Sequence, residues 1–585
     1  MSNTITIQKV FLRRLKSKSN PLSNKSESDV FKITLTDKFT AFTFRILRRP
    51  SIWLSKRMPQ LKDDIQKSNL IITPEVLISL VLFFTIVSII PTILGFYLIF
   101  AYRLIIGVFL LPIAPIVFAL GLIAPKLSQS SRASAIDNEL PFVIGYITTL
   151  AGGGISPLVT LKRLSNVDLY PATAKEAKRI LADIDVFGMD PVSALDKAAR
   201  YNPNKALSDF LGGYTSILKT GGDMVSFMES KLKDIFAYRT IKMKSAAELI
   251  GTFAEAYISI AVILGISFFV LFAVQALLGQ GGGAGLTSIV IFSVVFIPLV
   301  SALFIFMVHS IQPKEPFIYF TPYLVFSLSS IIIPLMFLIP QTPFYMKLGL
   351  GLLIAVIPSA IIHQRDASHR KSVENMLPSF LRDVAEIRKT GLAPEKCIEQ
   401  LANRSYGGLT KYVKTMSAQL SWGVPLRKVM VNFSRSVRSW IVRAIAFLLL
   451  EVVDVGGGTV KMFGSLADFS QKMSEIEKEK KATLRPYIFI PYFGAVMVVA
   501  TTIMMIYFVT VPLIGSPVGI YTGVDLKLTI DVLLSSAILE AWIMGFVAGK
   551  MGEGSVAAGF KHAGALVIVS FIAIYITQVF FMLPF

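Results

Sequence analysis

The sequence contains a single cysteine, Cys397, in 585 residues. One cysteine excludes a disulfide within the chain and a thiolate metal cluster. Its place on a predicted helical face favours a buried, small hydrophobic side chain over a reactive thiol. The four histidines, His309, His363, His369 and His562, lie near the ends of predicted membrane spans and lack metal-site spacing. We therefore expect no metal centre.

Nucleotide and hydrolase motifs are also lacking. Residues 554–561 have two glycines at the interval of a phosphate-binding loop, but Phe560 and Lys561 stand where lysine and a hydroxyl residue belong. No Gly-x-Ser-x-Gly motif occurs. The triple glycines at 152–154 and 456–458 favour tight turns between helices over a phosphate cradle. We expect no catalytic site, no cofactor and no enzyme activity.

What the chain has in abundance is apolar sequence, because 54% of its residues are hydrophobic. Such a chain is too apolar for several soluble domains, so membrane spans must account for the excess. The first long apolar run begins near Val76, so we expect insertion through internal spans and not a cleaved leader. The predicted fold class is an all-α polytopic membrane protein. Its nine predicted spans are 76–99, 104–124, 249–278, 288–308, 318–339, 345–363, 487–514, 532–549 and 563–584.

Polar blocks between these spans divide the chain. The basic first block contains a predicted short amphipathic helix at 39–58. The predicted order is a basic cytosolic N-terminal arm (1–75), a span pair (76–124), a first helical module (125–248), four spans (249–363), a second helical module (364–485) and three spans (486–585).

The stretch from Asn138 to Leu164 recurs 237 positions later, at Asn375 to Leu401. Its identities fall where helices start and stop: asparagine as a cap, proline in the first turn, glycine as a stop and proline as a restart. We therefore predict a helical hairpin in each copy. The matching pairs are Asn138/Asn375, Leu140/Leu377, Pro141/Pro378, Gly154/Gly391, Pro157/Pro394 and Leu164/Leu401.

Matching helix-stop and helix-start residues continue beyond the hairpins. Gly188 and Gly423 predict further helix stops, and Asp190 is a good cap for the helix that follows. The glycine runs at Gly222 and Gly457 predict another stop in each copy. With the apolar periodicity between these marks, each module is predicted to have about six helices. Strand signals are missing from both modules.

Charge decides the predicted topology. The three polar blocks carry +9, +3 and +9, which together account for the whole net charge of +21. Four predicted spans separate the modules, so both modules lie on one side and the repeat is parallel. The positive-inside rule then predicts cytoplasmic modules, a cytoplasmic N-terminus and an outside C-terminus in the cell membrane.

Two carboxylates fall within predicted spans, Glu255 and Glu540. Ionisable groups in a bilayer are costly and often functional. A relay needs partners at similar depth, and the spans offer no second carboxylate or base there. A protonated or hydrogen-bonded carboxyl at a helix interface is the favoured interpretation of both.

With its duplicated pattern of helix-start and helix-stop residues, the chain resembles the type II secretion F domain family of membrane platform proteins. The resemblance covers residues 76 to about 549. The nine-span form with a basic leader is more similar to the archaeal members that serve the archaellum or type IV pili. This resemblance implies a scaffold on which a hexameric secretion ATPase acts to insert archaellins or pilins into a filament. The positions that carry it are Leu140, Pro141, Gly154, Pro157, Gly188, Gly222, Leu377, Pro378, Gly391, Pro394, Gly423 and Gly457.

The second module is predicted to dock the ATPase, because its positive charge exceeds what membrane anchoring requires. Most of its basic residues lie farther from a span than the roughly 15–20 residues over which topology signals act. The alternative is a solvated basic face. The docking candidates are Arg382, Arg388, Lys389, Arg427, Lys428, Arg435, Arg438 and Arg443.

Other functions remain open from the sequence. Nine spans, Glu540 and proline-broken helices also suit a secondary transporter or channel, although the cytoplasmic modules would have no role in transport. A nucleic-acid binder would cluster basic and aromatic residues on one face, whereas the basic residues here are spread through all the inside segments. We expect a homodimer in membrane lipid, with no nucleic-acid partner.

Overall fold

The computed structural model describes residues 35–68, 70, 72–102, 110–277, 284–312, 319–456, 458–515 and 526–581. The first 34 residues of the predicted N-terminal arm and Gly457 therefore lie outside the described residues. Helices make up nearly all of the described chain, and no strand occurs in these ranges. Two compact units are present: residues 1–147 with 156–231, and residues 148–155 with 232–585.

The first unit begins with four helices that pack together. They are α1 (Leu35–Ile46), α2 (Arg48–Arg57), α3 (Gln60–Ser68) and α4 (Pro74–Tyr102). Buried Leu61 and Ile65 of α3 contact Leu77 and Ile78 of α4 in a small apolar cluster. Helix α4 is apolar and long enough to span a bilayer.

Helix α5, Ile113–Gly152, runs 40 residues without a break. The sequence predicted that Asn138 caps a new helix with Pro141 in its first turn, and this prediction is wrong. Pro141 instead lies inside α5, and Pro378 lies inside the corresponding helix of the second copy. An internal proline removes a helix hydrogen bond. Burial of the adjacent face, where Leu140 is 1% and Val143 2% exposed, offsets that loss.

The first module continues with short helices that end at glycines. Gly154, Gly188 and Gly221 have φ of 82°, 65° and 72°, the left-handed backbone that suits glycine after a helix. In the Gly221–Gly222 pair, the residue with left-handed backbone is thus Gly221, whereas the sequence analysis marked Gly222 as the helix stop. With the C-terminal part of α5 the module has six helices, as predicted. The others are α6 (Pro157–Leu164), α7 (Pro171–Asp185), α8 (Pro191–Tyr201), α9 (Lys205–Thr220) and α10 (Met224–Tyr257).

The next membrane segments contain two π-helical turns. Helix α10 passes through the turn Ile258–Leu264 into α11 (Gly265–Leu277). Helix α12 (Ala284–Ile291) passes through Phe292–Phe296 into α13 (Ile297–Ile311). Such turns insert an extra residue and re-aim side chains.

The segment predicted as the fifth span is not one long helix. Residues 321–336 form two short helices, α14 (Thr321–Ser329) and α15 (Ile332–Met336). In the described chain, eight helices are long and apolar enough to cross a membrane, not nine. Pro334 explains part of the break, because it has no N–H to donate to the Ser330 carbonyl four residues before it.

The second module repeats the six-helix plan within the second unit. Gly391, Gly423 and Gly458 take left-handed φ values of 85°, 76° and 67° at its turns. Its helices are α16 (Phe344–Arg388, shared with the membrane), α17 (Pro394–Leu401), α18 (Thr410–Ser421), α19 (Leu426–Ser436), α20 (Trp440–Gly456) and α21 (Val460–Leu484).

The last three helices complete the membrane part of this unit: α22 (Phe489–Gly515), α23 (Leu526–Glu553) and α24 (Gly559–Phe581). Helix α23 is the central one, since 72% of its most apolar 18-residue stretch is buried, against 6–44% for the other seven candidate spans. Small residues let α24 approach it closely. A Cβ on Gly549 would overlap the backbone of Gly559.

We predict that Gly549→Ala lowers the unfolding temperature of the purified protein. The added methyl must push α24 away, and overpacking of this kind costs about 1–3 kcal/mol. Gly464→Ala is the matched control, because a Cβ there meets no atom within 4 Å. That control should be neutral or stabilising. Equal unfolding temperatures for the two variants would contradict the close α23–α24 packing.

Candidate functional site

Helices α18 and α19 of the second module pack against each other. Each helix buries one face, with Val413 and Met416 of α18 at 0% and 2% exposure and Val429 and Met430 of α19 at 0% and 2%. The opposite faces are therefore in solvent. Trp422, in the turn between them, is 85% exposed. Tryptophan is one of the residue types enriched at protein interfaces.

Two basic docking candidates are exposed on α19. Lys428 and Arg435 lie seven residues apart, which places them on one helix face about 10 Å apart. Neither forms an ion pair with any residue that the structure describes. Both charges are thus available on the helix that begins four residues after Trp422.

Four other candidates are paired with acids of the second module. The N–O distances are 3.8 Å for Arg382–Asp468, 2.7 Å for Lys389–Glu386, 2.9 Å for Arg427–Asp454 and 3.1 Å for Arg438–Asp366. All four basic side chains remain more than half exposed. Such pairs contribute little stability, but they reduce the local positive charge.

The last two candidates, Arg388 and Arg443, donate hydrogen bonds to backbone carbonyls. Arg388 Nε donates to the Gly458 carbonyl at 2.9 Å, and its Nη1 donates to the Leu392 carbonyl. Arg443 Nε donates to the Val437 carbonyl at 2.9 Å. These arginines join turns to helix ends, so their replacement would disturb the module itself.

The sequence analysis did not identify Tyr406, a buried tyrosine between α17 and α18. Tyr406 is 3% exposed and donates to Asp383 at 2.6 Å, while Arg404 lies 2.9 Å from the same carboxylate. Burial, followed by the Asp383 contact, raises the pKa of Tyr406. The hydroxyl therefore stays protonated and holds Asp383 in place. This arrangement is structural and offers no reacting group.

Cys397 is buried, as its helical position predicted. Its thiol lies 3.6 Å from the Leu392 carbonyl, and burial raises its pKa. A protonated, inaccessible thiol is a poor nucleophile. The side chain fills the core of the second module.

The corresponding turn of the first module has the opposite charge. Phe187 precedes left-handed Gly188 and is 59% exposed, as Trp422 precedes Gly423. Residues 185–193 contain two aspartates and no basic residue, whereas the equivalent residues 420–428 contain Arg427, Lys428 and no acid. The cap of the next helix is Asp190, whose carboxylate accepts from Val192 and Ser193. The duplicated turn thus presents an aromatic side chain twice, in different electrostatic surroundings.

The two intramembrane carboxylates have different environments. Glu540 is 1% exposed on α23 and accepts a hydrogen bond of 3.0 Å from Ser293. Ser293 belongs to the π-helical turn 292–296, which aims its hydroxyl at α23. Glu255 is exposed on α10, so the predicted place at a helix interface is wrong for this residue. Only Glu540 is therefore part of the packed membrane core.

A polar cluster surrounds one end of α23. Lys550 Nζ donates to the Gly554 carbonyl at 3.0 Å and lies 3.3 Å from His309 Nδ1. His562 contacts both the Tyr492 hydroxyl, at 2.9 Å, and a Glu553 oxygen, at 3.1 Å. These contacts join α13, α22 and α24 to the end of α23.

The membrane part contains one apolar groove but, among the residues described, no metal-binding group. Across those residues, no group of three or more His, Cys, Asp or Glu is arranged to hold a metal ion. A groove of about 510 Å³ between α22 and α24 is lined mainly by apolar side chains such as Val499, Ile503 and Leu566. Its lining suits apolar chains and not a hydrated ion.

Comparison with known proteins agrees with the duplicated plan. The family model for the type II secretion system (T2SS), protein F, matches residues 143–272 and again 380–507. The two matches begin 237 positions apart, the offset of the internal repeat.

Two curated proteins of Methanocaldococcus jannaschii are similar to most of this chain. An uncharacterized protein is 24% identical over 496 residues, which cover 78% of this chain and 82% of the relative. Flagella accessory protein J is 22% identical over 438 residues, covering 71% and 77%. No solved structure matches.

We predict that Glu540→Gln retains wild-type stability, because an amide oxygen also accepts the Ser293 hydrogen bond. Glu540→Ala should unfold at lower temperature, since it leaves a cavity and an unpaired buried hydroxyl that alone costs about 1–3 kcal/mol. Thermal unfolding of the purified protein in detergent measures both effects. A Gln variant that unfolds at as low a temperature as the Ala variant would contradict this structural role.

Proposed function

Because this chain belongs to the family of the type II secretion system protein F and carries its domain twice, we propose that it is the membrane platform of an archaellum or an archaeal type IV pilus. Family membership makes it a multi-pass membrane protein of a type II secretion or pilus-like machinery. The finer proposal adds a cytosolic hexameric ATPase that drives it and filament subunits, archaellins or pilins, that it inserts.

The continuity of its helices is the observation that carries this proposal. Four helical runs lead from a module into a membrane span: 113–152, 224–268, 344–388 and 460–507, with 40, 45, 45 and 48 residues. The first and third are single helices, whereas the second passes through the π-helical turn Ile258–Leu264 and the fourth joins α21 to α22 through the 3-10 turn Arg485–Ile488. About 20 residues suffice to cross a bilayer, so roughly half of each helix lies outside it. A force on a module is therefore transmitted to its spans without a flexible linker.

The chain must receive that force from a partner. It has no phosphate-binding loop, so nucleotide hydrolysis belongs to another protein. Within the second unit, α16 packs along both α23 and α24. A displacement of the second module would thus shift α16 against the central membrane helices, which is how we propose that ATPase motion reaches the filament subunits.

We propose that the second module docks the ATPase through Trp422, Lys428 and Arg435. An exposed tryptophan beside unpaired basic side chains suits an apolar pocket with an acidic rim. The ion-paired candidates would add long-range attraction. Arg388 and Arg443 hold backbone carbonyls and are better assigned to the fold of the module.

Deletion of the gene should abolish surface filaments while filament subunits remain in the membrane. Electron microscopy of the cells and immunoblotting of membrane fractions measure the two effects, and a plasmid copy provides the control. Normal filaments in the deletion strain would contradict the proposal. Substrate-dependent flux in proteoliposomes containing only this protein would instead support a transporter.

Trp422→Ala in the full-length protein should weaken binding of the secretion ATPase by about 30-fold, because an interface tryptophan contributes about 2 kcal/mol or more. Lys428→Glu with Arg435→Glu should weaken it further, with less effect at high salt. The matched controls are Phe187→Ala and Lys205→Glu in the first module. If the controls lose affinity and the second-module variants keep it, docking lies on the first module.

The proposed topology has both modules in the cytoplasm and requires the α14–α15 pair to cross the bilayer. With Cys397→Ser as background, we expect a membrane-impermeant maleimide to label Thr342→Cys in intact cells. Lys205→Cys and Lys414→Cys, one in each module, should be labelled only after permeabilisation. Protection of Thr342→Cys in intact cells would mean that the pair does not cross and that the modules lie on opposite sides.

A further inference from the structure

We propose that α1 and α2 form an interfacial anchor that binds an anionic lipid leaflet where the first span enters the bilayer. The sequence predicted an amphipathic helix at 39–58 in a cytosolic arm. The structure instead packs two helices against the first span, α4.

The lipid-facing surface of α4 begins at a definite level. Before it, Leu77, Ile78 and Val81 are buried. From Phe84 onward, large apolar side chains are exposed along the helix. The 19 residues from 84 to the end of α4 span about 28 Å, close to the roughly 30 Å of a hydrocarbon core. The bilayer surface therefore lies near Phe84.

Helix α1 lies at that same level. The Phe39 ring packs edge-on against Phe83, with 5.4 Å between centroids, and lies 6.1 Å from Phe84. On the polar side, Ser55 of α2 donates to the Glu75 carboxylate at 3.3 Å. Glu75 precedes Phe84 by nine residues, or about 14 Å of helix, which places it outside the hydrocarbon.

The exposed side chains of α1 continue the lipid-facing surface of α4. Phe39, Phe42 and Ile46 recur at intervals of three and four residues, and so share one helix face. They are 38%, 55% and 58% exposed, while Thr43 beside them is fully buried. Three large apolar side chains at the bilayer surface would otherwise remain in contact with water.

Helix α2 adds an amphipathic pair. Trp53 is 57% exposed, and the Arg57 guanidinium lies 3.9 Å above its ring. Tryptophan favours the membrane–water boundary, where its ring is apolar and its N–H is hydrated. The arginine reaches phosphate groups while its stem covers the ring.

The charge of the two helices selects the kind of lipid. Residues 38–57 contain six basic residues and no acid. Lys38 and Arg45 flank the apolar face of α1, and Arg48 and Arg49 lie at the start of α2. A basic, amphipathic pair of helices in the plane of a bilayer binds anionic headgroups by electrostatic attraction as well as apolar insertion.

Tryptophan fluorescence in nanodiscs tests this proposal on the full chain. One variant keeps only Trp53, through Trp422→Phe, Trp440→Phe and Trp542→Phe. Its matched control keeps only Trp422, through Trp53→Phe with the same changes at 440 and 542. Each is reconstituted in phosphatidylcholine with or without phosphatidylglycerol, using lipids brominated either high or low on the acyl chain.

We expect Trp53 to be quenched more by high than by low bromines, because interfacial helices lie about 5–10 Å into the headgroup–acyl boundary. Trp422 should be unquenched. Phe42→Glu with Ile46→Glu should abolish the quenching of Trp53. Trp53 that is no more quenched than Trp422 would overturn the proposal in favour of a protein partner. Equal quenching with and without phosphatidylglycerol would overturn the assignment to anionic lipid.

Discussion

The structure depends on one constraint: backbone groups in hydrocarbon must be paired within the chain, and a helix satisfies them without a break. This protein extends that solution past the membrane surface. The first helix of each module, α5 or α16, is shared with a span, and the last one leads into a span through a π-helical or a 3-10 turn, so the helices that satisfy the bilayer also anchor the modules. Pro141 and Pro378 are tolerated in these helices because Leu140 and Leu377 beside them are buried. A scaffold that transmits motion needs such stiffness.

The sequence predicted the repeat, the six helices of each module and most of their stops. Gly154 and Gly391 could be found because a left-handed turn selects glycine locally. The prediction of a helix start at Asn138 failed because a start signal is also local, and here the packing of the surrounding helices overrides it. The proposed docking surface could be predicted only in part: its basic residues could be counted, but ion pairs such as Arg427–Asp454 form between positions distant in sequence. Exposure of Trp422 depends on tertiary packing as well.

Duplication has left two modules with one plan and different surfaces. Phe187 and Trp422 occupy matching turns, yet acids flank the first and basic residues the second. Such divergence is expected if only the fold is shared and each module meets a different surface. In the membrane, the buried Glu540–Ser293 contact and the polar cluster around Lys550 and Glu553 hold α23 among its neighbours. Motion of α16 would therefore act on a fixed centre.

Interrupting α16 tests most directly whether helix continuity couples module to membrane. A four-residue Gly-Ser insertion after Gln364 should leave the protein in the membrane and its ATPase affinity unchanged, but abolish filaments. A four-residue Ala insertion at the same site, which keeps a continuous helix, should retain more assembly. Normal filaments with the Gly-Ser insertion would contradict the account, because motion would then reach the spans without a rigid helix.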